Sequence, residues 1–428
     1  MNIEIKDKAE YCLNCKLKPC SNNGCPLGND IPAFISKIKE EKYKEAYEIL
    51  SKTTVLPAIC GRICPHKKQC EGSCIRGIKG NAVSIGELEA YVGDIALNEG
   101  HNSSKSTDIE KNAKNAQGLL NKKVAIIGGG PAGLTCAAFL ARKNIKVTIY
   151  EKYNYLGGIL VHGIPEFRLP KEIVEKTISN ILNQGIEVKY NMELGKNLIL
   201  EELIKEYDAV FLSFGANKSR KMEIEGENLE GVYGGNELLE YNRHPYYKGK
   251  TVAVIGGGNV AMDSARTIKR LGANKVMVIY RRSQKEMPAE EKEFKDAKNE
   301  GIEFVFQTNI KKIIGKTKVE KIELVKTELI KIENETRLIP MDLEESKYVI
   351  NVDYVVAAIG SKPEEWINKL NLKLNQFGNI EIDENNKTSN NKIFAGGDVS
   401  GTKQTVAWAV KSGRDAAYNI INYLTSKE

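Results

Sequence analysis

The chain has 428 residues, 41% hydrophobic and 28% charged, with a formal net charge of +7. That length holds two or three domains. No apolar run approaches the roughly 20 residues of a membrane span, so no membrane partner is expected. Lys and Glu are spread along the chain rather than clustered, which argues against nucleic acid and fits solvated surface or an acidic protein partner. The N-terminus, Met1-Asn2-Ile3-Glu4-Ile5-Lys6, lacks the basic and apolar regions of a signal peptide, so a cytoplasmic location is expected.

Eight of the nine cysteines precede residue 75. In a long chain of this composition such clustering points to metal or redox chemistry rather than disulfides. The first group is Cys12-x2-Cys15-x4-Cys20-x4-Cys25-Pro26. One helix is expected from Asp30 to about Ser51, capped by Asp30, with Pro32 in its first turn and Phe34, Ile35, Ile38, Ala46, Ile49 and Leu50 as its apolar positions. The second group is Cys60-x3-Cys64-Pro65-x5-Cys70-x3-Cys74, and a further helix fits Ile85–Leu97. Thiolates followed by prolines suit iron–sulfur clusters, which take four ligands each. Structural zinc also uses C-x2-C but pairs two compact units, which these spacings do not provide. The polar stretch His101–Gln117 reads as a linker.

The run Val124-Ala125-Ile126-Ile127-Gly128-Gly129-Gly130-Pro131-Ala132-Gly133 is a buried strand breaking into glycines and resuming as a helix. Gly128, Gly130 and Gly133 form the G-x-G-x-x-G of a dinucleotide fold, and a second strand, Lys146–Tyr150, ends in Glu151, placed to accept from a ribose hydroxyl. Free N–H groups at the helix start favour a pyrophosphate. Gly157-Gly158 suggests a close pass over a flat ligand, and Arg168, in Gly163-Ile164-Pro165-Glu166-Phe167-Arg168-Leu169-Pro170, could reach a phosphate or a flavin edge. A strand at Ala209–Ser213 ends at Phe214-Gly215-Ala216.

At Lys250 the opening fold repeats. Thr251–Ile255 leads into Gly256-Gly257-Gly258-Asn259-Val260-Ala261, a G-x-G-x-x-A loop. A helix to about Leu271 and a strand Lys275–Tyr280 follow, and that strand gives way to Arg281-Arg282 instead of an acid. Arginine there accommodates a 2′-phosphate, so two dinucleotides are expected, the second NADPH. Strands are expected at Ile302–Gln307, Val319–Lys326, Arg337–Pro340 and Tyr348–Ala358, closing at Ala358-Ile359-Gly360. Finally Lys392–Val399 reads as a strand ending in Gly397-Asp398, with a helix from about Thr405. That arrangement suits the ribityl and pyrimidine end of a flavin, where a helix N-terminus would stabilise charge developing at N1 and O2. Cys136 has no C-x-x-C partner, which argues against a thioredoxin-reductase mechanism. Asn2 leaves no N-terminal cysteine nucleophile for glutamine hydrolysis.

The eight cysteines, the Gly163–Pro170 segment, Gly256–Asp263 with Tyr280-Arg281-Arg282, and Ala395-Gly396-Gly397-Asp398 together resemble the small-subunit family of bacterial glutamate synthase. They are similar also to the N-terminal half of dihydropyrimidine dehydrogenase and to the large subunit of the ferredoxin:NADP electron-bifurcating transhydrogenase. The resemblance spans nearly the whole chain; Cys20-x4-Cys25 departs from it by one extra residue. It implies an α/β protein with two Rossmann-like domains of the pyridine nucleotide-disulfide reductase kind behind a helical iron–sulfur domain. The expected boundaries are 1–118 for the cluster domain and linker, 119–217 and 358–428 for the two FAD halves, and 218–357 for an inserted NADPH domain.

By position, the resemblance implies FAD contacts at Gly128, Gly130, Ala132, Gly133, Glu151, Gly158, Arg168, Asp398 and Thr405. It implies NADPH contacts at Gly258, Asn259, Ala261, Arg281, Arg282 and Gly360. One [4Fe–4S] cluster would sit on Cys12, Cys15, Cys20 and Cys74, and a second on Cys25, Cys64, Cys70 and Glu89, with Cys60 left as a neighbouring thiol; the alternative makes Cys60 the ligand. The implied activity is electron transfer from NADPH through FAD and the clusters to a redox protein partner in a hetero-oligomer. That partner would be a glutamate synthase large subunit, a ferredoxin, or another reductase subunit acting on pyrimidines or sulfur compounds.

Overall fold

The computed structural model describes residues 3–100, 119–332 and 337–426. The expected linker His101–Gln117 lies outside the described residues. The chain divides into two compact units. One comprises Met1–Val161, Glu166–Ala216 and Pro363–Glu428; the other comprises His162–Pro165 and Asn217–Lys362.

The first unit opens with the helices Ile3–Glu10, Ile31–Lys39, Tyr43–Ser51, Pro57–Ile63 and Ile85–Asn98. The single helix expected over Asp30–Ser51 is two. Asp30 caps the first, its carboxylate accepting from Ala33 N–H at 3.3 Å. The chain then turns through Glu41, at φ +59°. Glu40, Glu41 and Lys42 offer no apolar side chain to hold a straight helix against the core. Turning there returns Ala46 and Leu50 to the cluster of Phe34, Ile35, Ile38, Leu88 and Val92, all fully buried.

Behind these helices stands a five-stranded parallel sheet, ordered Ile393–Ala395, Ala209–Leu212, Lys123–Ile127, Lys146–Tyr150, Glu187–Lys189. The glycine loop leaves its middle strand, where strand order reverses and open α/β sheets bind ligands. The helix Pro131–Ala141 packs against the C-terminal helix Val406–Thr425. Their approach is close enough that a Cβ on Gly413 would stand 2.1 Å from Ala132 O.

The second unit repeats the pattern with a parallel sheet ordered Val232–Gly234, Tyr354–Ala357, Thr251–Ile255, Lys275–Tyr280, Glu303–Phe306. A four-stranded antiparallel sheet accompanies it: Thr308–Ile314 and Tyr348–Asn351 flank Lys321–Ile330, which also pairs with Ile339–Asp342. The strand Thr308–Ile314 escaped the sequence reading. The single strand expected over Tyr348–Ala358 is two strands in different sheets. Asp353 makes the corner, its carboxylate accepting from Thr251 N–H at 2.8 Å and Lys250 Nζ at 2.9 Å. No helix among the described residues is long and apolar enough to cross a membrane.

Candidate flavin, nucleotide and iron–sulfur sites

In the first glycine loop each glycine meets a different demand. Gly128 lies at φ +98°, and a Cβ there would stand 2.7 Å from Phe214 Cα. Gly133 brings its helix so close that a Cβ would reach Gly128 O at 2.0 Å. Gly130, the residue before the helix, faces open space; its nearest neighbour is Gly158 Cα at 4.0 Å. The free helix start and the bare Gly130–Gly158 gap fit a pyrophosphate. Glu151, buried at the end of the second strand, accepts from Gly129 N–H at 2.8 Å and Tyr153 N–H at 3.1 Å. Burial raises its carboxyl.

The Gly-Asp segment comes to the same loop, with a Cβ on Gly397 falling 3.1 Å from Ala132 Cβ. Gly397 N–H donates to Ser412 Oγ at 3.0 Å. Asp398 Oδ1 is buried with no hydrogen-bond partner among the described residues, and burial pushes this carboxyl up to about 6. A buried unpaired acceptor is costly; it fits a site that a flavin's polar atoms complete. Thr405 serves its own helix, accepting from Trp408 N–H at 3.4 Å. Arg168 is half-buried on a segment closed by Glu166, which accepts from Lys171 N–H. Ser412 was missed by the sequence reading; the only signal was a glycine, Gly413, inside a long helix.

The second loop opens on the same backbone hydrogen bond as the first. Gly128 N–H donates to Tyr150 O, and Gly256 N–H donates to Ile279 O. Tyr280 therefore takes the place of Glu151, and the arginines come one and two residues later. The Tyr280 ring lies where a Cβ on Gly257 would meet it at 2.7 Å, and its hydroxyl donates to Glu286 O. Arg281 is exposed and Arg282 half-buried. Gly258 has open space around it, as Gly130 has, while Ala261 is fully buried. Asn259 Oδ1 accepts from Glu290 N–H, and Gly360, at φ +115°, follows the strand next to the loop. This set fits a second dinucleotide.

The cysteines gather in two places. Cys12, Cys15, Cys20 and Cys74 line one pocket, with Ile31, Pro32, Ile35 and Ile75. Cys25, Cys64 and Cys70 gather around Glu89, with Cys60 hydrogen-bonded to Cys64. Glu89 accepts from Asn29 Nδ2 at 3.2 Å and is pushed up to about 8 by burial. Burial, then the Glu89 charge, carries Cys25 up to about 12. Three thiols and a carboxyl brought together are donors suited to a metal group. Among the described residues no three His, Cys, Asp or Glu side chains converge on a spacing for a single metal ion.

Fold and sites define a class: a flavoprotein oxidoreductase with two dinucleotide loops and a cysteine-rich helical domain. Residues 122–413 match the pyridine nucleotide-disulphide oxidoreductase family, and residues 1–101 match dihydropyrimidine dehydrogenase domain II, 4Fe-4S cluster. The chain is 36% identical to the glutamate synthase [NADPH] small chain of Escherichia coli, over 98% of this chain and 92% of that protein. It is 34% identical to that of Azospirillum brasilense, over 98% and 89%. The NADP(+)-dependent formate dehydrogenase subunit beta of Moorella thermoacetica is 36% identical over 95% of this chain and 60% of its own length. FprA of Mycobacterium tuberculosis in complex with NADPH shares the fold, with a TM-score of 0.64 and 21% identity over 71% of this chain and 85% of FprA.

The chain belongs to the pyridine nucleotide-disulphide oxidoreductase family, in the branch of the glutamate synthase small chains. It is an NAD(P)H-dependent FAD oxidoreductase with a 4Fe-4S domain.

Proposed function

We propose that the chain moves electrons from NADPH through FAD and two [4Fe–4S] clusters to a partner subunit, as the glutamate synthase small chain. The observation that carries this reading is that one compact unit holds both the flavin loop and both cysteine groups. When bound, the flavin accepts a hydride and releases electrons singly, and each cluster carries one at a time. The chain's residues supply placement. The Gly130–Gly158 gap and the helix start hold the pyrophosphate, Glu151 meets the ribose, and Asp398 meets the polar end of the flavin. Gly258, Asn259, Ala261 and Gly360 seat NADPH, with Arg281 and Arg282 on its 2′-phosphate.

Cys12, Cys15, Cys20 and Cys74 hold one cluster; Cys25, Cys64, Cys70 and Glu89 hold the other. The first pocket has Leu13 and Ile75, 51% and 41% exposed, among its lining. Lys16 and Lys79 are exposed on the same two loops. This suits electron exit to a protein partner in a hetero-oligomer: a glutamate synthase large subunit or, as the formate dehydrogenase relative suggests, another large subunit.

The test of the ligand sets is anaerobic reconstitution with iron counting and EPR of the reduced clusters. Cys60→Ser is expected to retain both clusters and Glu89→Ala to disturb one. The opposite pattern places Cys60 in the ligand set. The isolated chain is expected to reduce an artificial acceptor with NADPH but not to form glutamate from 2-oxoglutarate and glutamine; glutamate formation by this chain alone would contradict the division of labour.

A further inference from the structure

One turn of the C-terminal helix touches both the flavin-loop side and the helical domain of its unit. Ser412 Oγ accepts from Gly397 N–H beside Asp398. Gly413 lies against Ala132 in the flavin loop. Arg414, its side chain 13% exposed, reaches the helical domain instead: Nη1 donates to Leu27 O at 2.6 Å and to Thr53 O at 3.3 Å. Asp415 holds the guanidinium from behind, accepting from Nη2 at 3.1 Å and Nε at 3.2 Å. The two carbonyls belong to the segments that carry a further link. Thr53 Oγ1 donates to Asn29 Oδ1 at 2.5 Å, and Asn29 Nδ2 donates to Glu89 Oε1 at 3.2 Å. Asn29 and Glu89 are both buried. Leu27 is two residues after Cys25, so Arg414 grips the loop that supplies one candidate ligand and the support of another.

We propose that Arg414 is a positioning residue for internal electron transfer: it fixes the Cys25–Asn29 loop and Thr53, and through Asn29 the Glu89 carboxylate, against the flavin-side helix. This rests on the reading of Glu89 and the second cysteine group given above. The guanidinium suits the task because its planar fork can hold two carbonyls and a carboxylate together in one geometry, which an ammonium cannot. A second contact between the same parts offers a comparison: Arg142 Nη1 donates to Ser51 O, at the end of the helix Tyr43–Ser51, at 2.8 Å.

The experiment follows FAD and clusters separately in the holoprotein mixed anaerobically with NADPH, using flavin absorbance and freeze-quenched EPR. NADPH gives a hydride to FAD and leaves as NADP+; two electrons then pass one at a time to the clusters, each falling from 2+ to 1+, and the flavin proton goes to solvent. In Arg414→Gln the flavin step is expected unchanged and cluster reduction slowed at least about tenfold, within the roughly hundredfold that misplacing a reacting group by about 1 Å can cost. Arg414→Lys is expected to recover part of the rate, and Arg142→Gln all of it. Amide exchange at residues 27–30 and 52–56 is expected to rise in Arg414→Gln alone.

Equal slowing in Arg142→Gln, or unchanged cluster reduction in Arg414→Gln, overturns the proposal. If Arg414→Gln fails to hold iron, Thr53→Val leaves Arg414 in place and removes the hydroxyl that donates to Asn29 Oδ1 and, within its own turn, to Leu50 O; an altered EPR signal from one cluster supports the proposal and an unaltered spectrum overturns it. Failure of the unmodified protein to reduce its clusters with NADPH would instead refute the proposed function.

Discussion

The two glycine loops are the same backbone solved twice, with different chemistry at matching places. In both, the first glycine is left-handed or extended beyond what a side chain tolerates, at φ +98° and +142°. In both, the third position of the motif faces open space, and the strand beyond ends in a turn glycine, Gly215 or Gly360, at φ +78° or +115°. They differ after the second strand. The flavin loop has a buried carboxylate accepting from its own Gly129; the nucleotide loop has the Tyr280 ring against Gly257 and then two arginines. They differ again in completion: the segment Gly396–Asp398 returns from the end of the chain to the flavin loop alone. In the function proposed above, the fold sets where a dinucleotide lies and these one or two side chains set which dinucleotide it is.

The largest effect is expected where the loops diverge in charge. Replacing Arg281 and Arg282 together by Ala should weaken NADPH binding by about 2–4 kcal/mol, from the loss of charge-assisted hydrogen bonds to the 2′-phosphate. NADH binding should stay nearly constant. Equal loss for both cofactors would show that the arginines hold the ribose without selecting.

A slightly smaller effect is expected at Asp398, which the nucleotide loop lacks. Its carboxyl sits at about 6 in the folded chain, above the unfolded value near 3.9. The folded state therefore binds the proton more tightly, and stability falls as pH rises through this interval, levelling above about 6. In the flavin-free protein, Asp398→Asn should be more stable than the parent by up to about 3 kcal/mol at pH 7.5 and equal to it near pH 4. Denaturant midpoints at the two pH values check this; a difference independent of pH would contradict it.

The smallest effect concerns helix approach. Gly133 and Ala261 occupy the same motif position, yet only the first has no room for a methyl group. Gly133→Ala is expected to cost about 1–3 kcal/mol by overpacking and to reduce retained FAD. Ala261→Gly should cost about 0.5–1 kcal/mol as a helix glycine. Melting curves and flavin content of the two variants measure the contrast. Similar losses for both would mean that the flavin helix approaches no closer than its counterpart.

The parts legible in the sequence were those whose demands are local in the chain. Gly128–Gly133 and Gly256–Ala261 each state a backbone requirement within a few residues. The break at Glu41 was missed because Ile38 and Ala46 share one core only after the chain turns, which periodicity read along a straight helix does not reveal. The split at Asp353 depends on a carboxylate meeting Thr251, about a hundred residues earlier. Ser412 and Arg414 were silent for the same reason: their partners, Gly397, Leu27 and Thr53, lie far off in sequence, and nothing in the helix pattern distinguishes them from solvated residues.

The central claim is that one chain carries electrons from NADPH through FAD into two clusters. Its most direct test is an anaerobic NADPH titration of the purified holoprotein with FAD and iron counted per chain and EPR recorded at each point. The account predicts one FAD, about eight irons, flavin bleaching, and then the signals of two reduced clusters with no partner present. A colourless protein containing zinc, or flavin reduction that never produces a cluster signal, would contradict it.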